Sequence, residues 1–158
     1  MTHRDFATAF TVPNSPEEVF AAVTDVRGWW SEDIRGRTDA LGEFDYRYQD
    51  LHRARIRVTE LVPGRKVAWH VVENWFSFTR DQAEWTGTDV VFDIAPVPGG
   101  TELRLTHRGL TPDDECFEVC SDGWGTYVNG SLRDLLLTGR GRPNTGAPIT
   151  GSERVLAG

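Results

Sequence analysis

Cysteine, positive charge and long apolar runs are all scarce in this 158-residue sequence. Its two cysteines, Cys116 and Cys120, stand four residues apart in a stretch typical of a helix, where their Cβ atoms lie side by side; this favours reduced thiols over a disulfide. The 17 lysines and arginines face 24 aspartates and glutamates, and the net charge of −7 argues against a nucleic-acid or anionic-membrane partner. No apolar run approaches the roughly 20 residues of a membrane span, and the start MTHRDF lacks the apolar core of a signal peptide. We therefore expect a cytoplasmic protein with neither of those partners.

Tryptophan is the residue in excess, with six copies. A chain of this length suits one domain that buries roughly 70% of its unfolded surface without disulfides or metals. The last stretch is rich in glycine, proline and threonine and has no periodicity. We predict a single domain over residues 1–139 and a tail over residues 140–158 that is loose unless something docks it.

Alternation of apolar and polar residues predicts an antiparallel sheet. FATAFTV (6–12) has the period of a half-buried strand, and from Gly42 the chain becomes a series of such strands. Short turns at Pro63-Gly64 and at Pro98-Gly99-Gly100 join consecutive strands, as in a meander. The residues expected to face inward are Phe44, Tyr46, Tyr48, Ala54, Ile56, Val58, Val67, Trp69, Val71, Val90, Phe92, Ile94, Leu103, Leu105 and His107.

Two helices are predicted, one after the first strand and one near the C-terminus. Ser15 and Glu18 form a capping-box pattern around Pro16, which starts the first helix. The pair Trp29-Trp30 follows in a helical turn or loop, expected to act as a wall or lid.

The C-terminal helix is predicted to begin at a Thr111 cap and to stop at Gly139. Its inward stripe is expected to hold Phe117, Cys120, Trp124, Tyr127, Val128, Ser131 and Leu135. Gly123, Gly125 and Gly130 weaken this helix, and we expect them to let neighbouring segments approach its sides. The element order indicates an α+β fold in which a curved antiparallel sheet wraps around the long C-terminal helix and leaves a pocket between them.

Several motifs carry a family resemblance. The stretches SPEEVFAAVTDVRGWW, VTELVPGRKVAWHV, EWTGTDVVFDIAP and TELRLTHRGLTPDDECFEVCSDGWGTYVNGSLRDLLLTGRG resemble the START-like (SRPBCC) superfamily, in the branch homologous to the activator of heat-shock protein 90 ATPase. The similarity runs from about Phe6 to Pro143. It implies a helix-grip fold, as in the birch-pollen allergen, with a cavity between sheet and C-terminal helix. Relatives include lipid-binding domains, polyketide cyclases, toxin-resistance proteins and co-chaperone domains, so the resemblance does not select one function.

Within that cavity we predict a binding site for a small apolar or aromatic molecule. The alternative is that the same aromatic side chains simply fill the core. The residues predicted to line the site are Trp30, Tyr46, Tyr48, Trp69, Phe92, His107, Cys120, Trp124, Tyr127 and Ser131.

Two other functions stay open. His107 with a pocket tyrosine would serve a cyclase-like or hydrolase-like enzyme as proton-transfer groups, unless it is a neutral histidine tied to a neighbouring group. A chaperone-interaction module follows from the family name only. No catalytic residue is assigned, and no cofactor or metal is predicted, because His107, Cys116 and Cys120 lack a fourth zinc ligand. The aromatic connection from Trp75 to Trp85 could instead be the contact surface of a homodimer.

Overall fold

One antiparallel sheet and a long C-terminal helix make up the fold in a computed structural model that describes residues 5–145 and residue 150. The strands of the described chain are β1 (Phe6–Val12), β2 (Ile34–Arg35), β3 (Gly42–Tyr48), β4 (His52–Val62), β5 (Lys66–Phe76), β6 (Asp89–Val97) and β7 (Gly100–Arg108). They lie in the order β1-β7-β6-β5-β4-β3-β2, so β3 to β7 form a meander and β1 adds to its free edge. The predicted α+β architecture and the helix-grip fold are confirmed.

Two short helices, α1 (Pro16–Thr24) and α2 (Val26–Trp29), connect β1 to β2. The predicted capping box at α1 is present: the Ser15 hydroxyl accepts from the Glu18 N–H at 3.1 Å, and the Glu18 carboxylate accepts from the Ser15 N–H at 3.0 Å. Of the two roles predicted for the segment around Trp29 and Trp30, a wall or a lid, the structure shows a wall of the space between sheet and C-terminal helix.

The C-terminal helix begins later than predicted, at Phe117 rather than just after Thr111. The Thr111 N–H donates to the Asp114 carboxylate at 2.8 Å, and the Asp113 N–H donates to the Thr111 hydroxyl at 3.3 Å. These local side-chain bonds hold a turn in place of a first helical turn. The helix then consists of α3 (Phe117–Trp124), a π-helical segment (Gly125–Leu132) and α4 (Arg133–Thr138), and it stops at a left-handed Gly139, as predicted.

The glycines of this helix do not have the predicted role. A methyl group at Gly123 or Gly125 would meet no atom within 4 Å apart from the helix's own backbone, and one at Gly130 would meet only the Arg142 guanidinium, at 3.2 Å. No segment between residues 5 and 145 therefore packs against Gly123 or Gly125. The glycines instead accompany a change of helix type, since the Arg133 N–H reaches the Val128 carbonyl five residues back.

A β-bulge divides β5. Ile56 of β4 pairs with Val71, but the preceding residue Arg55 pairs with Glu73, so Val72 is an extra residue in the ladder. Before the bulge β5 buries Val67, Trp69 and Val71; after it the strand buries Asn74 and Phe76. The connection from Trp75 to Trp85 is consequently not an exposed aromatic loop, because Phe76 and Trp85 are buried.

The outer face of β4 behaves as expected for a solvated strand. Arg55 pairs with Asp45 at 3.2 Å and Arg57 pairs with Glu43 at 2.8 Å across the β3–β4 ladder. Exposed pairs of this kind stabilise a fold by at most about 1 kcal/mol.

The described part of the tail is docked. Asn144 bridges Ser31 in parallel orientation: its N–H donates to the Trp30 carbonyl at 2.8 Å, and its carbonyl accepts from the Glu32 N–H at 2.9 Å. A Cβ at Gly141 would clash with the Gly28 carbonyl, so this close approach requires glycine. Residues 146–149 and 151–158 of the predicted tail lie outside the described residues.

Candidate functional site

A ladder of aromatic rings fills most of the space between sheet and helix. Trp69 stacks near Trp29 and Trp30, with ring centroids 6.4 and 5.9 Å apart and interplanar angles of 7° and 11°. Trp30 stacks on Tyr46 at 4.2 Å and touches Trp124 at 5.3 Å. Trp124 in turn lies parallel to Trp85, 5.7 Å away. In this part of the interior the aromatic side chains fill the core, which was the alternative to a binding site.

Beyond the ladder a narrow cleft remains. The volume open to the centre of a water-sized sphere is about 70 Å³, several times the roughly 10–15 Å³ that one water requires. The described residues that line the cleft are Trp30, Tyr46, Tyr48, Leu51, His52, Phe76, Phe78, Trp85, Val119, Cys120, Gly123, Trp124, Tyr127 and Thr150. Strands β3 to β5, the connection after β5 and the helix α3 all contribute to this wall.

The structure brings six of the ten predicted site residues to the cleft: Trp30, Tyr46, Tyr48, Cys120, Trp124 and Tyr127. Trp69 and Phe92 lie in the core instead, with their ring centroids 5.0 Å apart. Ser131 is buried, and its hydroxyl accepts from the Arg142 N–H at 2.7 Å, so it anchors the docked tail.

His107 does not face the cleft, contrary to prediction. The Trp124 Nε1–H donates to its Nδ1 at 3.1 Å, so Nε2 carries the proton and donates to the Thr88 hydroxyl at 2.9 Å; that hydroxyl donates to the Trp85 carbonyl at 2.6 Å. Burial, helped by the nearby His52, lowers the pKa of His107 to about 3. This histidine is therefore neutral and fully bonded, and it is not a proton donor for a ligand.

Sequence reasoning missed His52, although the signal was available. His52 is the first residue of the strand and shares the parity of the inward residues Ala54 and Ile56 on β4. Phe76 was less accessible to prediction because the extra residue at Val72 reverses the parity of β5.

His52 is a polar side chain in the wall of the cleft. Its Nε2 lies 2.7 Å from the Asn74 side-chain oxygen, while the Asn74 amide nitrogen donates to the Gln82 carbonyl at 3.4 Å. The imidazole also packs near the rings of Phe76 and Trp85, at centroid distances of 4.4 and 4.7 Å. Burial lowers the pKa of His52 to about 4, partly opposed by the bond to Asn74, so the ring is neutral near pH 7.

Two carboxylates clamp the connection after β5 onto the start of α3. The Glu84 carboxylate accepts from the backbone N–H groups of Glu115 and Cys116 at 2.7 and 2.9 Å. The Glu115 carboxylate accepts in return from the Arg80 N–H at 2.9 and 3.0 Å. The Cys116 thiol is buried beside Cys120, and its hydrogen bond to Cys120, burial and Glu84 raise its pKa, so this free thiol is not an activated nucleophile.

Replacing Glu84 with glutamine is expected to lower the free energy of unfolding by about 1–2 kcal/mol, because an amide offers one neutral acceptor where the carboxylate accepts two N–H groups. Urea denaturation measures this loss, and amide hydrogen exchange should speed up at Glu115 and Cys116. Glu118→Gln, at an exposed acid in the first turn of the same helix, is the control and should change neither quantity. Equal behaviour of the two variants would contradict the clamp.

Comparison with known proteins identifies the family. The sequence profile described as "Activator of Hsp90 ATPase homolog 1-like protein" matches residues 13–136. The chain belongs to this family. A comparison with curated protein sequences gives no significant match. Three solved structures are similar to this chain in fold.

The Aha1 dimer from Colwellia psychrerythraea, solved in solution, is 24% identical with a TM-score of 0.70, and the match covers 89% of this chain and 100% of that one. DynU16, a protein in the dynemicin biosynthetic locus, is 18% identical with a TM-score of 0.65, over 89% of this chain and 49% of that one. CalU16 from Micromonospora echinospora is 16% identical with a TM-score of 0.61, over 96% and 80%. At these identities the similarity shows the fold alone.

The described residues contain neither a metal-binding cluster nor a membrane-spanning helix. Among residues 5–145 and residue 150, no group of three or more His, Cys, Asp or Glu side chains is placed to hold a metal ion. No helix in the same part of the chain is long and apolar enough to cross a membrane.

Proposed function

We propose that this member of the family binds a small aromatic, largely apolar molecule in the cleft between sheet and C-terminal helix. The observation that carries the proposal is the composition of the wall, in which aromatic rings predominate and polar atoms are few. Small-molecule sites typically combine such a wall with a few polar groups that fix the ligand's orientation. His52 in the wall of the cleft and the hydroxyl of Tyr127, which accepts from the Asn144 amide at 2.8 Å, supply polar groups of this kind.

The size of the cleft favours a ligand with one aromatic ring. Its volume of about 70 Å³ for the centres of water-sized spheres leaves no room for a lipid chain beside the stacked tryptophans. Leu51 and Phe78 are half-buried lining side chains, with more freedom than the buried rings to move aside for a larger molecule. DynU16, as a protein in a biosynthetic locus, is consistent with a role near small molecules, by analogy only.

The other functions weighed from the sequence have less support. The enzyme alternative relied on His107, which is sealed away from the cleft with both ring nitrogens bonded. The chaperone-interaction module rests on the family description and on no surface of this chain. A homodimer stays a prediction for this chain, although the structure from Colwellia psychrerythraea is a dimer.

Filling the cleft from Gly123 is expected to abolish binding. Gly123 lines the cleft and a Cβ there meets nothing within 4 Å, so a leucine has space for its first carbon and its branches occupy the cleft. Titration with phenol and toluene, followed by ¹H–¹⁵N chemical shifts, should show saturable shifts at cleft residues in the wild type and at least tenfold weaker binding in Gly123→Leu.

Gly125→Leu is the matched control, since Gly125 is equally open but does not line the cleft. This variant should bind as the wild type does. Absence of saturable shifts with either probe in the wild type, or equal loss in both variants, would count against the proposed function.

A further inference from the structure

His52 presents an unused hydrogen-bond acceptor. The Asn74 side-chain oxygen 2.7 Å away can only accept, so His52 Nε2 carries the proton and Nδ1 holds a lone pair. The Asn74 side-chain amide is itself oriented by its bond to the Gln82 carbonyl, and the Asn74 backbone N–H donates to the Thr86 hydroxyl at 3.0 Å. The tautomer of His52 is therefore set by the fold.

Nδ1 is also reachable. It has no hydrogen-bond partner among the described residues. The side-chain atoms there that are both unpaired and sealed from water are Asn14 Oδ1, Trp69 Nε1, Trp85 Nε1 and Ser121 Oγ, and His52 Nδ1 is not among them. His52 is a half-buried residue of the cleft wall, so a molecule in the cleft lies beside its imidazole.

The surroundings of this acceptor define the chemistry that suits it. The rings of Tyr46, Phe76 and Trp85 lie 4.4–5.0 Å from the imidazole, centroid to centroid. A hydrocarbon in the cleft would strip water from Nδ1 and offer no bond in return, which carries a desolvation penalty. A carboxylate would place a charge against a neutral acceptor in a poorly solvated site. A neutral ring with an O–H or N–H group meets both demands.

We infer that the ligand of the cleft is a neutral aromatic molecule with a ring hydroxyl or ring N–H, which donates a hydrogen bond to Nδ1 of His52. This inference rests on the proposed function and narrows it to a ligand class. His52 thereby acts as the specificity-determining residue of the cleft, with Asn74 as the residue that positions it.

Phenol and toluene test this assignment because they have nearly the same shape and differ in the donor. In a purely apolar cleft toluene binds more tightly, since the phenol hydroxyl loses its hydrogen bonds to water. With His52 as acceptor, the wild type should prefer phenol by about tenfold. In His52→Phe, which keeps an aromatic ring and removes the acceptor, the order should reverse while toluene still binds.

The nitrogen resonance of the acceptor gives an independent readout in the unaltered protein. The ¹⁵N signal of His52 Nδ1 should move upfield on addition of phenol and stay in place with toluene. Toluene binding at least as tight as phenol in the wild type, or a phenol preference that persists in His52→Phe, overturns the assignment and leaves the proposed function intact. Failure of both probes to bind the wild type overturns the proposed function, and this assignment with it.

Discussion

His107→Ala is expected to lower the free energy of unfolding by about 3–5 kcal/mol, the largest effect of a single substitution anticipated for this chain. His107 is completely buried and links β7 to the C-terminal helix through Trp124 and to β6 through Thr88, which directly precedes that strand. Alanine leaves a cavity and removes the acceptor of the Trp124 indole N–H; each loss costs about 1–3 kcal/mol or more in a sealed interior.

Urea denaturation followed by circular dichroism measures the loss. His70→Ala is the control: His70 is partly exposed and its side chain pairs with Asp89, which is also partly exposed, at 2.9 Å, so its removal should cost less than about 1 kcal/mol. A His107→Ala protein as stable as His70→Ala would show that the bonded network contributes little to folding.

Acidification should destabilise the protein well before its carboxylates titrate. An unfolded histidine takes up a proton at a pKa of about 6.5, whereas folded His107 does so only at about 3 and folded His52 at about 4. Between those values the unfolded state binds more protons, so the free energy of unfolding falls as the pH falls, by about 1.4 kcal/mol per pH unit for each histidine. The stability is fully present above pH 6.5, and we expect a loss of about 3–4 kcal/mol between pH 6.5 and pH 5.

Urea midpoints measured across that range at constant ionic strength test this prediction. His107→Gln removes one of the two imidazoles with a lowered pKa and should reduce the slope by about half, while His70→Gln should leave it unchanged. A flat profile, or one insensitive to His107→Gln, would mean that these imidazoles are protonated in the folded state.

The elements with strong local signals could be predicted from the sequence. The Ser15 capping box, the strand β1 and the stop at Gly139 depend on residues within a few positions of each other, and each is present. The inward parity of β3 also holds, which is why Tyr46 and Tyr48 reach the cleft. Local patterns were sufficient wherever the hydrogen-bonded pairing of the strands is regular.

The rest of the site depends on irregular geometry that such patterns do not encode. The extra residue at Val72 reverses the parity of β5 and brings Phe76 inward. A helical wheel drawn at 100° per residue assumes α-helical geometry, and the π-helical segment departs from that geometry. Leu132 is therefore buried, although the predicted inward stripe did not include it. His107 points inward, as its position in the strand predicted. The strand pattern does not reveal hydrogen-bond partners, however, and both ring nitrogens of His107 are bonded to Trp124 and Thr88.

The bulge at Val72 also bears on how this protein could diversify. On one side of it β5 contributes Trp69 to the stacked aromatic rings, and on the other it contributes Phe76 to the cleft and Asn74, which bonds to His52 of the cleft wall. Residues of β5 at the cleft are thus separated along the strand from those that fill the core. Straightening the bulge while keeping Val72 in the strand would turn Glu73 and Trp75 inward in a single step, whereas deletion of Val72 would leave Asn74 and Phe76 on the inner face of a regular strand.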